Sequence, residues 1–320
     1  MPEGHSVRRL ADAFEAAFEG QRLAVSSPQG RFADGAALLD GGTLEISDAW
    51  GKHMFLGIRP AGQPVRDRAG EGDGEDLRWL HVHLGLYGAW TFAGDEHFTG
   101  PHAIGAPRVR VSEEETPVRP DAIDAALGED ASAEVWTPAA PRGQVRVRIV
   151  GDHGVADLAG PTRCEVLDDG ARRAVEAKLG PDPLRPDPDG GAEAAFVAAV
   201  RASRTVIGVQ LMDQSVLAGV GNIYRAELLY RARVHPNRPG SSLAARTLRG
   251  IWRDAVVLMA DGVRTGRIVT TDPEDRHTAR DAWYVYHRDG TPCLRCGSTV
   301  QVADLTGRKV YWCPRCQRMR

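Results

Sequence analysis

No apolar run in the chain approaches the roughly 20 residues that a bilayer-spanning helix needs, so none is expected. The opening residues Pro2, Glu3, Gly4 and His5 replace the basic-then-apolar start of a secretory signal, which places the protein, as an expectation, in the cytoplasm. Neither an internal repeat nor a large charge surplus is present: 40 Lys and Arg stand against 43 Asp and Glu, a net of -3. Cysteine is scarce, with five in 320 residues, and four of the five fall after Thr291. In a chain expected inside the cell, such clustering points to a metal, with a redox dithiol or disulfide pair as the alternative. Cys164 stands alone and reads as an ordinary buried or half-buried thiol.

At 320 residues the chain exceeds one comfortable core, so two domains and a small appendage are expected. With 42% hydrophobic and 26% charged residues it reads as a soluble globular protein. Its charge is unevenly placed. From Phe196 to Arg320 there are 20 basic and 10 acidic side chains, a net of +10, which leaves -13 on the first 195 residues. A polyanion is the partner such a C-terminal part suits.

Val7, Leu10, Phe14 and Phe18 recur at helical spacing and predict an amphipathic helix over 6–19, stopped near Gly20. Short β-rich segments follow, among them Thr43–Ile46, His53–Ile58, Trp79–Leu86 and Gln144–Val150, separated by Gly, Pro and Asp. Pro60–Asp76 and Ser112–Pro141 read as insertions, peripheral or poorly ordered. Past Asp168 the texture turns helical, with patterns at Gly170–Leu179, Glu193–Ser203, Val206–Asp213, Ile223–Arg231 and Ser242–Val263. The expected fold is therefore α+β and multidomain. An N-terminal β-sandwich with a flanking helix occupies 1–166, a helical domain 167–285, and a hairpin module 286–320.

Cys293-x-x-Cys296 and Cys313-x-x-Cys316 are sixteen residues apart, a spacing that makes two thiolate knuckles of one tetrahedral zinc site. Four thiolates leave no open coordination position, so the expected Zn2+, one per chain, is structural. The hairpin it holds carries Arg295, Arg308, Lys309, Arg315, Arg318 and Arg320. His53, His81 and His83 form a second possible metal group, and a metal-dependent hydrolase built on them is one rival reading. The stretch Leu217–Tyr224 is a glycine-rich turn opening a helix, where close backbone approach and helix amides suit a phosphate.

Four motifs now stand in order: Pro2-Glu3-Gly4-His5, His83 to Gly88, Gly219 to Tyr224, and the paired cysteines. Together they resemble the formamidopyrimidine-DNA glycosylase/endonuclease VIII family over nearly the whole chain, and the actinobacterial endonuclease VIII-like branch by the residues around Lys52. The resemblance implies a helix-two-turn-helix in the helical domain and a terminal zinc ribbon. It implies a bifunctional DNA glycosylase and abasic-site lyase acting on double-stranded DNA with oxidised bases or abasic sites, as a nucleoid-associated monomer without membrane contact. Pro2 matches the family's nucleophile and Glu3 its general acid/base, with both set beside the positive end of the following helix. Lys52, grouped with these as catalytic, matches the hairpin lysine on phosphates beside the lesion. His83, Asn222 and Arg308 match further phosphate contacts, and Leu86 matches the side chain that fills the gap left by the flipped base. Two positions depart from the pattern: Ser6 where many members have glutamate, and Gly85 where some have a larger polar residue. Oxidised pyrimidines are the expected substrates. An 8-oxoguanine-type preference is the rival within the family, and a catalytically silent zinc-ribbon DNA-binding protein the rival outside it.

Overall fold

The computed structural model describes residues 2–63, 77–105 and 136–319, so most of both expected insertions lies outside the described residues. The chain forms two compact units. Arg9–Ala49 and His53–Ala174, with Pro2, make the first; Glu3–Arg8, Trp50–Lys52 and Val175–Arg320 make the second.

The first unit holds most of helix α1 (Gly4–Phe18), whose apolar stripe of Leu10, Phe14 and Phe18 is fully buried. Among the described residues nine strands form two antiparallel sheets. One runs β1 (Ala24–Ser26), β7 (Val145–Val150), β8 (Gly154–Ala159), β5 (Ala89–Gly94) and β6 (Ala103–Gly105). The other runs β2 (Thr43–Trp50), β3 (His53–Arg59), β4 (Arg78–His83) and β9 (Arg163–Leu167). Phe14 packs edge-on against Trp90 and Phe92 of β5, with centroids 4.8 and 5.4 Å apart, which seats α1 on the five-stranded sheet. Strand β3 is buried at six of seven positions, the pattern of a strand covered on both faces. Helix α3 (Asp169–Glu176) supplies part of that cover: the Arg172 guanidinium lies 3.9 Å over the Trp79 ring. Helix α2 (Ala33–Leu39) was not expected; only Ala36 and Leu39 of its seven residues are buried, too few to read as a period.

In the second unit, α4 (Gly191–Arg201), α5 (Ile207–Gln210), α6 (Asn222–Arg231) and α7 (Ala245–Thr265) enclose one apolar core. Helix α6 is buried on every side from Ile223 to Tyr230 because two cores meet on it. Tyr224, Leu228 and Leu229 face the helical core, while Ile223, Ala226 and Tyr230 face the core of the cysteine module. An all-buried helix must satisfy its polar side chains internally. Glu227 does so by accepting from Thr270 Oγ1 at 2.6 Å and from the amides of Tyr284, Val285 and Tyr286 at 2.7 to 2.9 Å. The module ends in the hairpin β10 (Gln301–Leu305) and β11 (Arg308–Trp312). Its two-residue turn has φ 53° at Thr306 and 76° at Gly307, as the right-handed twist of paired strands prefers. Among the described residues no helix is long and apolar enough to cross a membrane.

Candidate catalytic centre and zinc module

Three pieces remote in sequence meet in the second unit through glycines. Gly219 has φ 87°; a Cβ on Gly4 would stand 2.7 Å from the Gly219 Cα, and one on Gly219 would stand 3.4 Å from the Gly4 Cα and 3.6 Å from the Gly51 Cα. No side chain fits there, so the start of α1, the β2–β3 hairpin tip and the turn before α6 approach backbone to backbone. Gly4 N–H donates to Gly219 O at 2.8 Å. Asp182, buried, accepts from the Gly51 amide at 2.7 Å and the Leu184 amide at 2.9 Å, and Trp50 Nε1 donates to Gly180 O at 3.0 Å. Burial pushes the Asp182 carboxyl upward against the pull of those two amides and of Arg8 and Arg185.

Glu3 is 1% exposed and sits across the N-terminus of α6. Its carboxylate accepts from the Gly221 and Ile223 amides at 2.8 Å each and from Tyr224 N at 3.4 Å. These are the amides a helix start leaves without partners, so Glu3 caps α6 from 218 residues away. The Glu3 carboxylate is set at the positive end of α6, while its backbone oxygen accepts from Ser6 N and Val7 N at the start of α1. One expectation is corrected in part: the amides of Gly221, Ile223 and Tyr224, which suit a phosphate, are held by Glu3. The cap cannot be read from Gly219 to Tyr224 alone, since its acceptor lies at the other end of the chain.

Lys52 follows Gly51 on the hairpin tip. Burial holds its ammonium below the usual lysine range, while the nearby Glu3 carboxylate raises it and Arg308 lowers it again. Glu3, Lys52 and Arg308 are thus brought close enough to feel one another's charge. Asn222 opens α6, and its Oδ1 accepts from Arg225 Nη2, which orients the amide so that Nδ2 is the group it can offer an acceptor. Arg225, 1% exposed, also donates to Lys309 O at 2.6 Å and to Gly208 O at 3.4 Å. Burial, with the neighbouring Arg308, brings its pKa down to about 10 despite Glu3. Arg225 therefore ties Asn222 to the strand that carries Arg308. Sequence reasoning missed it, although an arginine one helical turn after Asn222, among apolar neighbours, is a signal that it needs buried carbonyls.

Pro2, His83 and Leu86 belong to the first unit. Pro2 is buried, His83 half-buried at the end of β4, and Leu86 half exposed beside the more exposed Tyr87. The departure at Gly85 has a local cause: φ is 68°, and a Cβ would run into the Thr162 hydroxyl. At Ser6, the hydroxyl lies 3.1 Å from His5 Nε2.

The four cysteine sulfurs all lie within 4.8 Å of one another, with Cys293–Cys316 at 4.0 Å and Cys296–Cys313 at 3.4 Å. Tetrahedral zinc with bonds of about 2.3 Å sets its sulfurs ~3.8 Å apart, so the donor set and spacing fit that ion. Tyr230 OH lies 3.1 Å from Cys293 Sγ, and Gln317 Oε1 accepts from Cys313 N at 2.8 Å, second contacts of the kind that orient metal ligands. Among the described residues this is the one metal-type cluster; His53, His81 and His83 do not form another.

Helices α5 and α6, on either side of the turn through Gly219 and Gly221, and the four-cysteine hairpin fit a helix-two-turn-helix protein with a zinc finger. A profile of the formamidopyrimidine-DNA glycosylase H2TH domain matches residues 179–274, and one of the zinc finger found in FPG and IleRS matches residues 290–318. Endonuclease 8 1 of Mycobacterium tuberculosis is 41% identical over 323 residues, covering 99% of this chain and 100% of that protein. Formamidopyrimidine-DNA glycosylase of Geobacillus kaustophilus is 36% identical over 46% of this chain and 54% of its own. A crystal structure of a Lactococcus lactis FPG mutant in complex with a Fapy-dG containing DNA shares the fold, with a TM-score of 0.68 at 20% identity over 99% of this chain and 100% of that one. The chain belongs to the formamidopyrimidine-DNA glycosylase/endonuclease 8 family of base excision repair.

Proposed function

We propose that this protein excises oxidised bases, pyrimidines in preference, from double-stranded DNA and then cuts the strand at the abasic site. The nucleophile is the Pro2 nitrogen, exposed as a secondary amine once Met1 is removed. It bonds to C1′ of the damaged nucleotide as the base departs with the C1′–N electron pair; the Glu3 carboxylate takes the proton released by the amine nitrogen and delivers it to the ring oxygen as the C1′–O bond breaks and the sugar opens. The iminium so formed carries its positive charge without further protonation. It accepts the electron pair released when a proton leaves C2′, and the 3′ phosphate then departs with the C3′–O pair. Lys52, His83, Asn222 and Arg308 hold backbone phosphates, and Leu86 occupies the gap in the stack. One zinc ion on Cys293, Cys296, Cys313 and Cys316 supplies a rigid hairpin and no step of the reaction. The protein works as a monomer on the nucleoid.

The observation that carries this reading is the Glu3 carboxylate, buried and fixed by helix amides in the residue after Pro2, with the Lys52 ammonium in its field. Borohydride trapping on duplexes bearing single defined lesions tests it. Protein with a free Pro2 amine is expected to form a covalent adduct, fastest on oxidised pyrimidines. Protein that retains Met1 should form none, because an amide nitrogen has its lone pair delocalised into the carbonyl. Mass spectrometry should place the DNA remnant on the peptide beginning at Pro2; a remnant on the Lys52 peptide overturns the nucleophile.

A further inference from the structure

The four-stranded sheet aligns two rows of side chains across three strands. His53 of β3 stands opposite His83 of β4, which stands opposite Arg163 of β9; two residues along, Phe55, His81 and Glu165 form the next row. Residues two apart on a strand share a face, so all six project from one side of the sheet. His81 is fully buried, and its Nδ1 lies 3.0 Å from Glu165 Oε1, an oxygen that also accepts from Arg163 Nη1 at 3.1 Å. His53 Nδ1 and His81 Nε2 are 2.8 Å apart, and the His53 and His83 rings meet edge to face at 5.0 Å. At 2.8 Å the two facing nitrogens share a proton-bearing contact, which commits them to each other and not to a common ion.

Proton placement follows from these contacts. Burial keeps His81 below the usual imidazole range, against the pull of Glu165, so its one proton goes to Nδ1 and the carboxylate. His81 Nε2 is then an acceptor, and His53 must donate from Nδ1. Neutral His53 therefore has a lone pair at Nε2 and can donate there only after taking up a proton. The imidazolium so formed donates from both nitrogens, with Glu165 as the counter-charge behind His81. The charged and titratable groups around His53 include His81 and His83 from β4 and Arg163 and Glu165 from β9. Arg172 of α3 lies 5.7 Å over the Phe55 ring.

We propose that His53 is a further phosphate-contacting residue, an imidazolium in a row with His83 and Arg163, and that His81 and Glu165 are its positioning pair. The ligand is the DNA phosphodiester backbone, so the proposal rests on the DNA-binding reading above.

The test uses the full zinc-loaded chain, a duplex containing a tetrahydrofuran abasic analogue, and its undamaged counterpart. His53→Gln should weaken binding to both by about 5- to 10-fold at physiological salt and lower the salt slope by about one counterion. Glu165→Gln should cause a smaller loss in the same direction. Nitrogen-15 NMR of the free parent protein should show neutral His53 protonated at Nδ1, with that pattern lost in Glu165→Leu, which leaves His81 Nδ1 no acceptor. An unchanged salt slope in a folded His53→Gln variant, or a neutral His53 protonated at Nε2, overturns the assignment. Failure of the parent protein itself to bind either duplex overturns the DNA reading and this contact with it, and is distinguished because no variant is involved.

Discussion

Replacing Glu3 by Gln separates its two roles, as helix cap and as proton donor. The carboxylate accepts two short bonds from Gly221 and Ile223 and one long bond from Tyr224. A glutamine has one acceptor oxygen, so its NH2 must face one of the short-bonded amides, donor against donor. Losing one charge-assisted bond and leaving that buried amide unsatisfied costs about 2–3 kcal/mol. For a unit of this size that corresponds to a fall in melting temperature of roughly 5–10 °C. The lost negative charge also removes the influence that raises Lys52, so the Lys52 ammonium should titrate at lower pH than in the parent. On the proposed chemistry, base excision in single-turnover assays should slow by about 10²- to 10⁴-fold, the range for a positioned acid. Cleavage of a preformed abasic site should suffer less, since that substrate already presents an aldehyde. Equal slowing of both reactions in protein that still melts as a unit would refute the acid role; an unchanged melting temperature would refute the cap.

Three further outcomes are expected. Elemental analysis should find one zinc per chain, and Cys313→Ser should lose it, unfold the hairpin and weaken DNA binding, with the sheets of the first unit intact by circular dichroism. Arg308→Ala should weaken binding to damaged and undamaged duplexes alike and lower the salt slope by about one, whereas a change confined to lesion choice would mean that it reads bases. Arg225→Met should cost about 3 kcal/mol by denaturant unfolding, because it strands the Gly208 and Lys309 carbonyls and the Asn222 oxygen. Combined with Arg308→Ala, its effect on DNA affinity should be less than additive, since Arg225 holds the strand on which Arg308 stands.

What could be read from sequence was whatever repeats within a few residues. The period of Val7, Leu10, Phe14 and Phe18 placed α1 to within two residues, and β3 and β7 begin at or next to their expected positions. The two Cys-x-x-Cys pairs located the metal cluster because each knuckle is local. Expected strand Trp79–Leu86 stops instead at His83, since the left-handed φ of Gly85 ends the ladder there. Contacts spanning the chain left no local trace. Glu3 capping α6, Asp182 holding Gly51 and Glu227 gathering the amides of Tyr284 to Tyr286 each join polar groups whose partners lie between 57 and 220 residues away. A buried carboxylate looks in sequence like any surface acid; only its partners reveal it.

Those long-range contacts explain why the centre is assembled from three chain segments and not built on one. On the proposed chemistry the Pro2 nitrogen must be a free amine, so no preceding strand or helix can hold it. Its position has to be fixed from the next residues onward, and the fold does so twice: Glu3 is bound by the α6 amides, and Gly4 is bound to Gly219. The same turn of Gly219 and Gly221 that accommodates both residues also meets Gly51, whose neighbour Lys52 brings a cation to the carboxylate. A side chain added at Gly4 or Gly51 would crowd the turn at Gly219, whose own left-handed φ of 87° favours glycine, so on the proposed chemistry these glycines are part of how Glu3 and Pro2 are placed. The zinc module extends the same logic. Its core is packed on the opposite side of α6, and Arg225 runs from Asn222 to β11, so the helix that fixes Glu3 also fixes the strand bearing Arg308.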